Sequence, residues 1–321
     1  MDHRTVKHDA NRILNNAAYD PKKLALYYAS ATAIISLVCS ALSYLLGLAM
    51  DHTGGLSGLA LRSMLGSGQV VLSLLSTLVM PLFQMGLVYC ALGYSKEESV
   101  SHRSLLEGFR RWGAVLRLNV LLILILAGMV MVCIYIAALI FTFSSFSDGL
   151  YKAMQPILND PSVTEVTDEM IYQMLPHMSW LFVLLGVALL VVGLPFYYRY
   201  RMSEFALMDG APGALVAVRQ SKVLSRNRRW GMFKLDLSFW WFYLAQLLIS
   251  LIAYGHDLLT ALGVKLPISA NASSWIFYIA ALAIQTLFTW QFAAYYQTAC
   301  ALYYKRLKES VMAELQMPKD E

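Results

Sequence analysis

Six stretches of this chain are each long and apolar enough to cross a lipid bilayer. They run from about Leu24 to Met50, Leu65 to Leu92, Ala114 to Phe143, Met178 to Tyr198, Leu235 to Tyr254 and Trp275 to Tyr303. A hydrocarbon core about 30 Å thick takes roughly 20 residues of helix. Helix is required because lipid cannot satisfy free backbone amides and carbonyls, and the alternating pattern of a membrane barrel is absent. Composition agrees: 58% of the 321 residues are hydrophobic and 14% charged, against about a quarter charged in ordinary soluble domains. The first twenty residues are polar, so no cleavable signal peptide is expected and the first span serves as its own insertion signal.

The basic residues orient the spans. With six crossings and the N-terminus inside, only Arg62, Lys152 and Lys265 of the 25 lysines and arginines fall on the outer side. The positive-inside rule then predicts a multi-pass protein of the cell membrane with both termini cytoplasmic. The expected divisions are a cytoplasmic segment 1–23, a six-helix membrane domain 24–304 and a cytoplasmic tail 305–321. Pro81 and Pro195 should kink or end their helices locally. The longest outer connection, about Ser144 to His177, is weakly acidic; Thr167-Asp168-Glu169 reads as the start of a helix lying over the outer mouth or along the interface.

Two inner segments match. Arg110-Arg111-Trp112-Gly113 and Arg228-Arg229-Trp230-Gly231 each precede a basic-Leu-polar entry into the membrane, at Arg117-Leu118-Asn119 and Lys234-Leu235-Asp236. Helix pairs two-three and four-five are therefore candidates for a parallel internal repeat. The plainer explanation is that any inner helix start favours Arg, Lys and Trp.

The most patterned segment is the connection between the fourth and fifth spans. Asp209-Gly210-Ala211-Pro212 reads as a helix start with Asp209 as cap. Ala217, Ser221 and Leu224 then share one face, and Arg219, Lys222 and Arg226 another. The reading is a cytoplasmic amphipathic helix in which Arg219, Lys222, Arg226, Arg228 and Arg229 meet an acidic partner or lipid headgroups; topology control alone would also call for these charges. Asp236, just inside the fifth span, needs a partner, for which Lys234, Arg201 and Arg229 are candidates. Trp240, Trp241 and Trp290 lie deeper than an aromatic belt, and Trp240, Trp241 and Gln246 are candidates for a cleft.

Three places carry a resemblance. They are Lys7-x-x-Ala10-x-x-x-Leu14; the run Tyr198-Arg199-Tyr200-Arg201-Met202 with Met208-Asp209, Ala217, Ser221, Trp230, Phe233, Leu235 and Leu237-Ser238-Phe239; and Thr298-Ala299-Cys300-Ala301-Leu302-Tyr303-Tyr304. In these the chain resembles the bacterial integral membrane family called domain of unknown function 975. The resemblance is dense from Arg199 to Phe239. It departs at Ser225-Arg226-Asn227-Arg228, where the family often has a Met-Lys-Gly-Asn type turn, and between Tyr254 and Tyr295, which lacks the family's Gly-rich stretch and Pro-Tyr. The resemblance implies a bacterial plasma membrane and no particular activity.

Catalytic signatures are missing: no phosphate-binding glycine loop, no His-Glu-x-x-His and no Gly-x-Ser-x-Gly. Cys39, Cys90, Cys133 and Cys300 read as small hydrophobes. Asp51-His52, His177 and His256-Asp257 fall at predicted outer helix ends, a weak pattern for a divalent metal against the simpler reading of polar residues at a wet interface. No metal, cofactor or nucleic-acid partner is expected; membrane lipid and a membrane protein partner are. The fold expectation is an all-α bundle of six transmembrane helices. The functional expectation is a non-enzymatic accessory, scaffold or regulatory protein acting through its basic cytoplasmic face. The alternative is a small transporter or lipid-handling protein with a cleft between the helix-pair repeats.

Overall fold

The computed structural model describes residues 3–51, 56–159, 168–261 and 270–316, and among them every regular element is helical. In chain order these are α1 (His3–Asn15), α2 (Pro21–Asp51), α3 (Leu56–Ser95), a 3-10 turn (His102–Leu106), α4 (Glu107–Arg110), α5 (Trp112–Thr142), α6 (Ser145–Asn159), α7 (Asp168–Ala188), a π turn (Leu189–Gly193), α8 (Leu194–Tyr200), α9 (Ser203–Met208), α10 (Ala214–Leu224), α11 (Arg229–Ser238), α12 (Trp240–Ala253), α13 (Gly255–Ala261) and α14 (Ala270–Gln316). Five stretches are long and apolar enough to cross a membrane: Pro21–Met50, Ser63–Ser95, Trp112–Thr142, Met178–Met208 and Ala272–Glu314. A sixth exists if α11 and α12, bent by 61° at Phe239, count as one. This is the architecture of a helical membrane protein.

The chain divides into two compact units, one of residues Met1–Asn119 with Met202–Glu321, the other of Val120–Arg201. In the first, the 47-residue α14 is the central helix, contacting α1, α2, α3, α10 and α12. At 1.5 Å per residue α14 is about 70 Å long and the 40-residue α3 about 60 Å, each twice the apolar thickness of a bilayer. Burial divides both. Residues 63–81 of α3 are exposed or half-buried, whereas Leu82, Met85, Leu87, Val88, Cys90 and the residues from Ala91 to Ser95 are buried, save that Gly93 carries no side chain to bury. Likewise most of α14 before Ala293 is open, and every residue from Tyr296 to Tyr304 is buried. The change falls at one level: the Tyr28 hydroxyl of α2 donates to Gln84 Oε1 of α3 (2.8 Å), and beyond it Leu24, Leu87, Cys90, Leu105 and Ala293 pack together. The second and sixth apolar stretches of the sequence thus each combine a surface of lipid-facing character with a packed core.

Small residues let the backbones close up in that core. Gly86 and Gly108 sit where α3 crosses the 3-10 turn and α4. A β-carbon on Gly86 would come within 1.9 Å of the Leu105 carbonyl oxygen, and one on Gly108 within 2.0 Å of the Leu82 carbonyl oxygen. Thr298, Ala299 and Ala301 are fully buried, giving α14 the slim girth that a helix surrounded on all sides requires. The amphipathic α1 adds Val6 and Ala10, both fully buried.

The second unit packs the body of α5 with α7 through small groups. Cys133 Sγ lies 3.7 Å from the Ala188 carbonyl oxygen, and Gly193 leaves room for the Met129 sulfur. Phe146 of α6 meets Trp180 of α7 at 4.8 Å between ring centroids. Pro195 follows the π turn: lacking an N–H it cannot continue the ladder, and the widened turn takes up the mismatch. Pro81, by contrast, lies inside an α3 that continues as one element. The helix expected near Thr167 is described from Asp168 onward, where it runs unbroken through Pro176 into the fourth span instead of forming a separate interfacial segment. Thr167 itself lies outside the described residues.

Candidate functional site

Four basic segments of the first unit converge on α14 and its neighbours. At the centre is Asp209, which ends α9 and whose side chain is 6% exposed. Its carboxylate accepts from Lys96 Nζ (2.7 Å) just after α3, and from Lys308 Nζ (2.5 Å) and the Tyr304 hydroxyl (3.1 Å) of α14. Tyr304 and Lys308 are four residues apart, so one face of α14 presents both. The Tyr304 ring stacks on Phe205 of α9 at 5.9 Å. Burial by itself would push the Asp209 carboxyl up, but the hydrogen bonds from Lys308 and Lys96 outweigh it and hold the group below the ordinary carboxylate range. The hydrogen bond to Asp209 raises Lys96 above the ordinary lysine range. Arg111 Nη1 adds a hydrogen bond to the Leu207 carbonyl (3.0 Å), and Lys305 Nζ one to the Ser95 carbonyl (3.1 Å).

Asp209 is therefore not the cap of the next helix, as the sequence suggested. Gly210 turns the chain at φ +110°, α10 starts only at Ala214, and its N-cap is Gly213, which offers no side chain. That turn aims the carboxylate back at the two lysines.

The N-terminal helix is tied in at its middle, by two residues that hold different elements. Arg306 of α14 pairs with Asp9 and holds its carboxyl below the usual range. Lys7 Nζ donates to the Ser238 carbonyl (2.8 Å), the last residue of α11, and lies 4.3 Å from the centre of the Phe239 ring. A cation thus meets a helix C-terminal carbonyl where α11 breaks into α12.

α10 rests on this frame. Ala217 and Ser221 are fully buried and Leu224 nearly so, and Ser221 Oγ accepts from the Met202 backbone N–H (3.2 Å). The opposite face holds Arg219 and Lys222, both exposed, beside Leu215 (62% exposed) and Val223 (57%). Arg226 is exposed just beyond. Among the described residues none of Arg219, Lys222 and Arg226 makes an ion pair. Between α10 and the end of α14 runs an apolar groove of about 280 Å³, floored by Val216, Val223, Leu224 and Met312 and rimmed by Arg219 and Lys308.

The remaining candidates are used differently. Arg228 pairs with Glu314, and Arg229 is partly buried, its Nε without a hydrogen-bond partner. Asp236 is buried and accepts from the Tyr296 hydroxyl (3.1 Å), which also meets the Tyr243 hydroxyl (2.6 Å). Lys234, one expected partner of Asp236, lies instead over the Trp230 ring at 5.8 Å, and the Asp236 carboxylate takes a hydrogen bond from a tyrosine of α14. Arg201 lies over the Tyr197 ring at 5.8 Å. Trp241 packs against Phe292 (4.8 Å) and Phe288 (6.2 Å), Trp240 is exposed, and Gln246 is half-buried; none of the three lines the groove. Of the residues proposed for a metal, His52 and the side chains of Asp51 and His177 lie outside the described residues, and His256 Nδ1 meets Ser273 Oγ at 2.7 Å. Trp112 and Trp230, from the matched segments, stand near the starts of α5 and α11 and are 62% and 64% exposed.

Sequence reasoning did not single out Lys96, Tyr304 and Lys308 as one site with Asp209. The signal for it was an isolated acid in a basic connection, with an i, i+4 Tyr-Lys pair on the last helix. Many of the residues that carried the family resemblance are packing residues of this region: Met202, Met208, Ala217, Ser221, Leu235, Phe239 and the whole run Thr298 to Tyr304 are buried, whereas Trp230 and Leu237 are exposed. The sequence model of one protein family, described as protein of unknown function (DUF975), matches residues 1–311. No curated protein and no solved structure matches the chain.

Proposed function

The chain belongs to that family of proteins of unknown function (DUF975), and we propose that it is a six-span protein of the cell membrane that docks an acidic partner protein on α10 at the cytoplasmic face. It is then a non-enzymatic accessory, scaffold or regulatory component. Even parity of crossings is supported by the ion pair of Arg306 with Asp9, since both chain ends lie at one face only if α11 and α12 together cross once. Cytoplasmic placement of that face follows from its lysines and arginines.

The observation that carries the docking role is the division of labour among the cations. Lys7, Lys96, Lys305, Arg306 and Lys308 are engaged within the fold, whereas Arg219 and Lys222 on the braced α10, and Arg226 just beyond its end, are held out beside exposed Leu215 and Val223. A face of mixed apolar and basic side chains suits an acidic amphipathic partner. The groove lies about 11 to 19 residues beyond Ala293 along α14, roughly 17 to 29 Å past the level where the exposed surface ends, which favours a protein over the bilayer as its occupant.

The test replaces Arg219, Lys222 and Arg226 together with glutamine and compares gently extracted complexes by native mass spectrometry. A stoichiometric protein partner present with the parent chain and lost with the variant is the expected result. Retention of the same partner by a folded variant would refute the docking role.

A further inference from the structure

The connection from α1 to α2 leaves a second cavity, about 680 Å³, against the middle of α14. Its polar lining includes Asn11, Asn15, Asp20, Lys22 and Gln291, and its aromatic wall Trp290. Among the described residues the amides of Asn11, Asn15 and Gln291 have no hydrogen-bond partner, and the ammonium of Lys22 makes no ion pair. One oxygen of Asp20 accepts the Lys22 backbone N–H at 2.9 Å, capping α2, which leaves the other oxygen open. Donors, one cation, one carboxylate and an indole therefore converge on a space with nothing of the protein in it.

The cavity's level along the helices points to its ligand. Trp290 and Gln291 come immediately before Ala293, where α14 passes from open surface to packed core. Lys22 comes immediately before the apolar run of α2. On the membrane reading this is the headgroup layer, where Lys and Trp concentrate. We infer that the cavity between the α1–α2 connection and α14 holds a phosphoethanolamine headgroup of a membrane phospholipid. Lys22 and the amides of Asn11, Asn15 and Gln291 take the phosphate; the free oxygen of Asp20 and the face of Trp290 take the primary ammonium. A purely anionic headgroup would leave Asp20 opposed to it, and a trimethylated amine could not donate to the carboxylate. The inference shares the membrane reading with the proposed function and is independent of α10.

The full chain in nanodiscs of equal phosphatidylethanolamine, phosphatidylcholine and phosphatidylglycerol, released for native mass spectrometry, tests it. Phosphatidylethanolamine should be retained about tenfold over phosphatidylcholine, the worth of one charge-assisted hydrogen bond. Asp20→Asn keeps a capping oxygen for α2, so the fold should survive by circular dichroism while that preference falls to about twofold or less. Lys22→Gln should lower retention of both lipids. Free O-phosphoethanolamine should compete, and inorganic phosphate should compete less. Equal retention of the three headgroups, preference for phosphatidylglycerol, or an unchanged preference in folded Asp20→Asn would overturn the assignment.

Discussion

Replacing Asp209 with asparagine should be one of the most damaging isosteric changes in the chain. The substitution keeps the size of the side chain and removes its charge. Three donors then face a group that can accept only on one oxygen: Lys96 at 2.7 Å, Lys308 at 2.5 Å and Tyr304 at 3.1 Å. Leaving a buried charge unpaired costs about 3–5 kcal/mol. The carboxylate is 6% exposed, but the two lysines are 38% and 45% exposed and can turn to water. Screening on their side reduces the expected loss to about 2–3 kcal/mol. The assay is denaturant unfolding of detergent-solubilised protein followed by tryptophan fluorescence. Lys96→Gln and Lys308→Gln should each cost about 1 kcal/mol, and each should cost less in an Asp209→Asn background, since the interaction it removes is already gone. A loss below about 0.5 kcal/mol for Asp209→Asn would show that the cluster behaves as an ordinary surface ion pair, and the reasoning about a braced α10 would fail.

The same cluster sets the acid response. The Asp209 pKa is depressed by folding, so its contribution is present above the unfolded carboxyl value near 4 and is lost as pH falls through the lower folded value; Lys96 is raised, so its share is lost only as pH climbs past the lysine range. Wild-type stability should therefore be flat with respect to these groups from about pH 5 to 9, with a fall below about pH 4 that Asp209→Asn makes shallower, the rest belonging to carboxyls such as Asp9 that are likewise depressed. Gly86→Ala should cost about 3 kcal/mol or more, because the new methyl group meets the Leu105 carbonyl oxygen at 1.9 Å and the backbones must separate; the readout is yield and thermal unfolding in detergent. Lys7→Met should free the Ser238 carbonyl and loosen α1, seen as faster proteolysis within residues 3–15. Neutralising Arg219, Lys222 and Arg226 should change stability by no more than about 0.5 kcal/mol, since all three are exposed.

Much of this architecture is legible in the residues. Apolar length fixed the helices, and the i, i+4, i+7 spacing of Ala217, Ser221 and Leu224 placed the buried face of α10 correctly. Two features were not legible, for physical reasons. A helix sheathed by other helices and a helix sheathed by lipid are both apolar all round, so the stretch from Trp275 to Tyr303 reads as one span although its second half is packed core. Long-range charge pairing leaves no local pattern either. Asp209 has the composition of a cap, and only the turn at Gly210 shows that it serves lysines 113 residues before it and 99 after it, at Lys96 and Lys308. For Asp236 charge alone pointed to a cation, and nothing local pointed to the tyrosine hydroxyl of α14 that also donates to it.

On the proposed function α10 is a rigidly presented docking element for an acidic protein. The most direct measurement is photo-crosslinking in cells from a reactive residue at position 223, on the exposed face of α10, compared with one at position 124, an exposed residue of the apolar run of α5. The expected result is a discrete protein adduct from position 223 that is missing from position 124 and disappears when Arg219, Lys222 and Arg226 are glutamine. The same adduct from both positions, or an adduct from position 223 indifferent to those three charges, would contradict it.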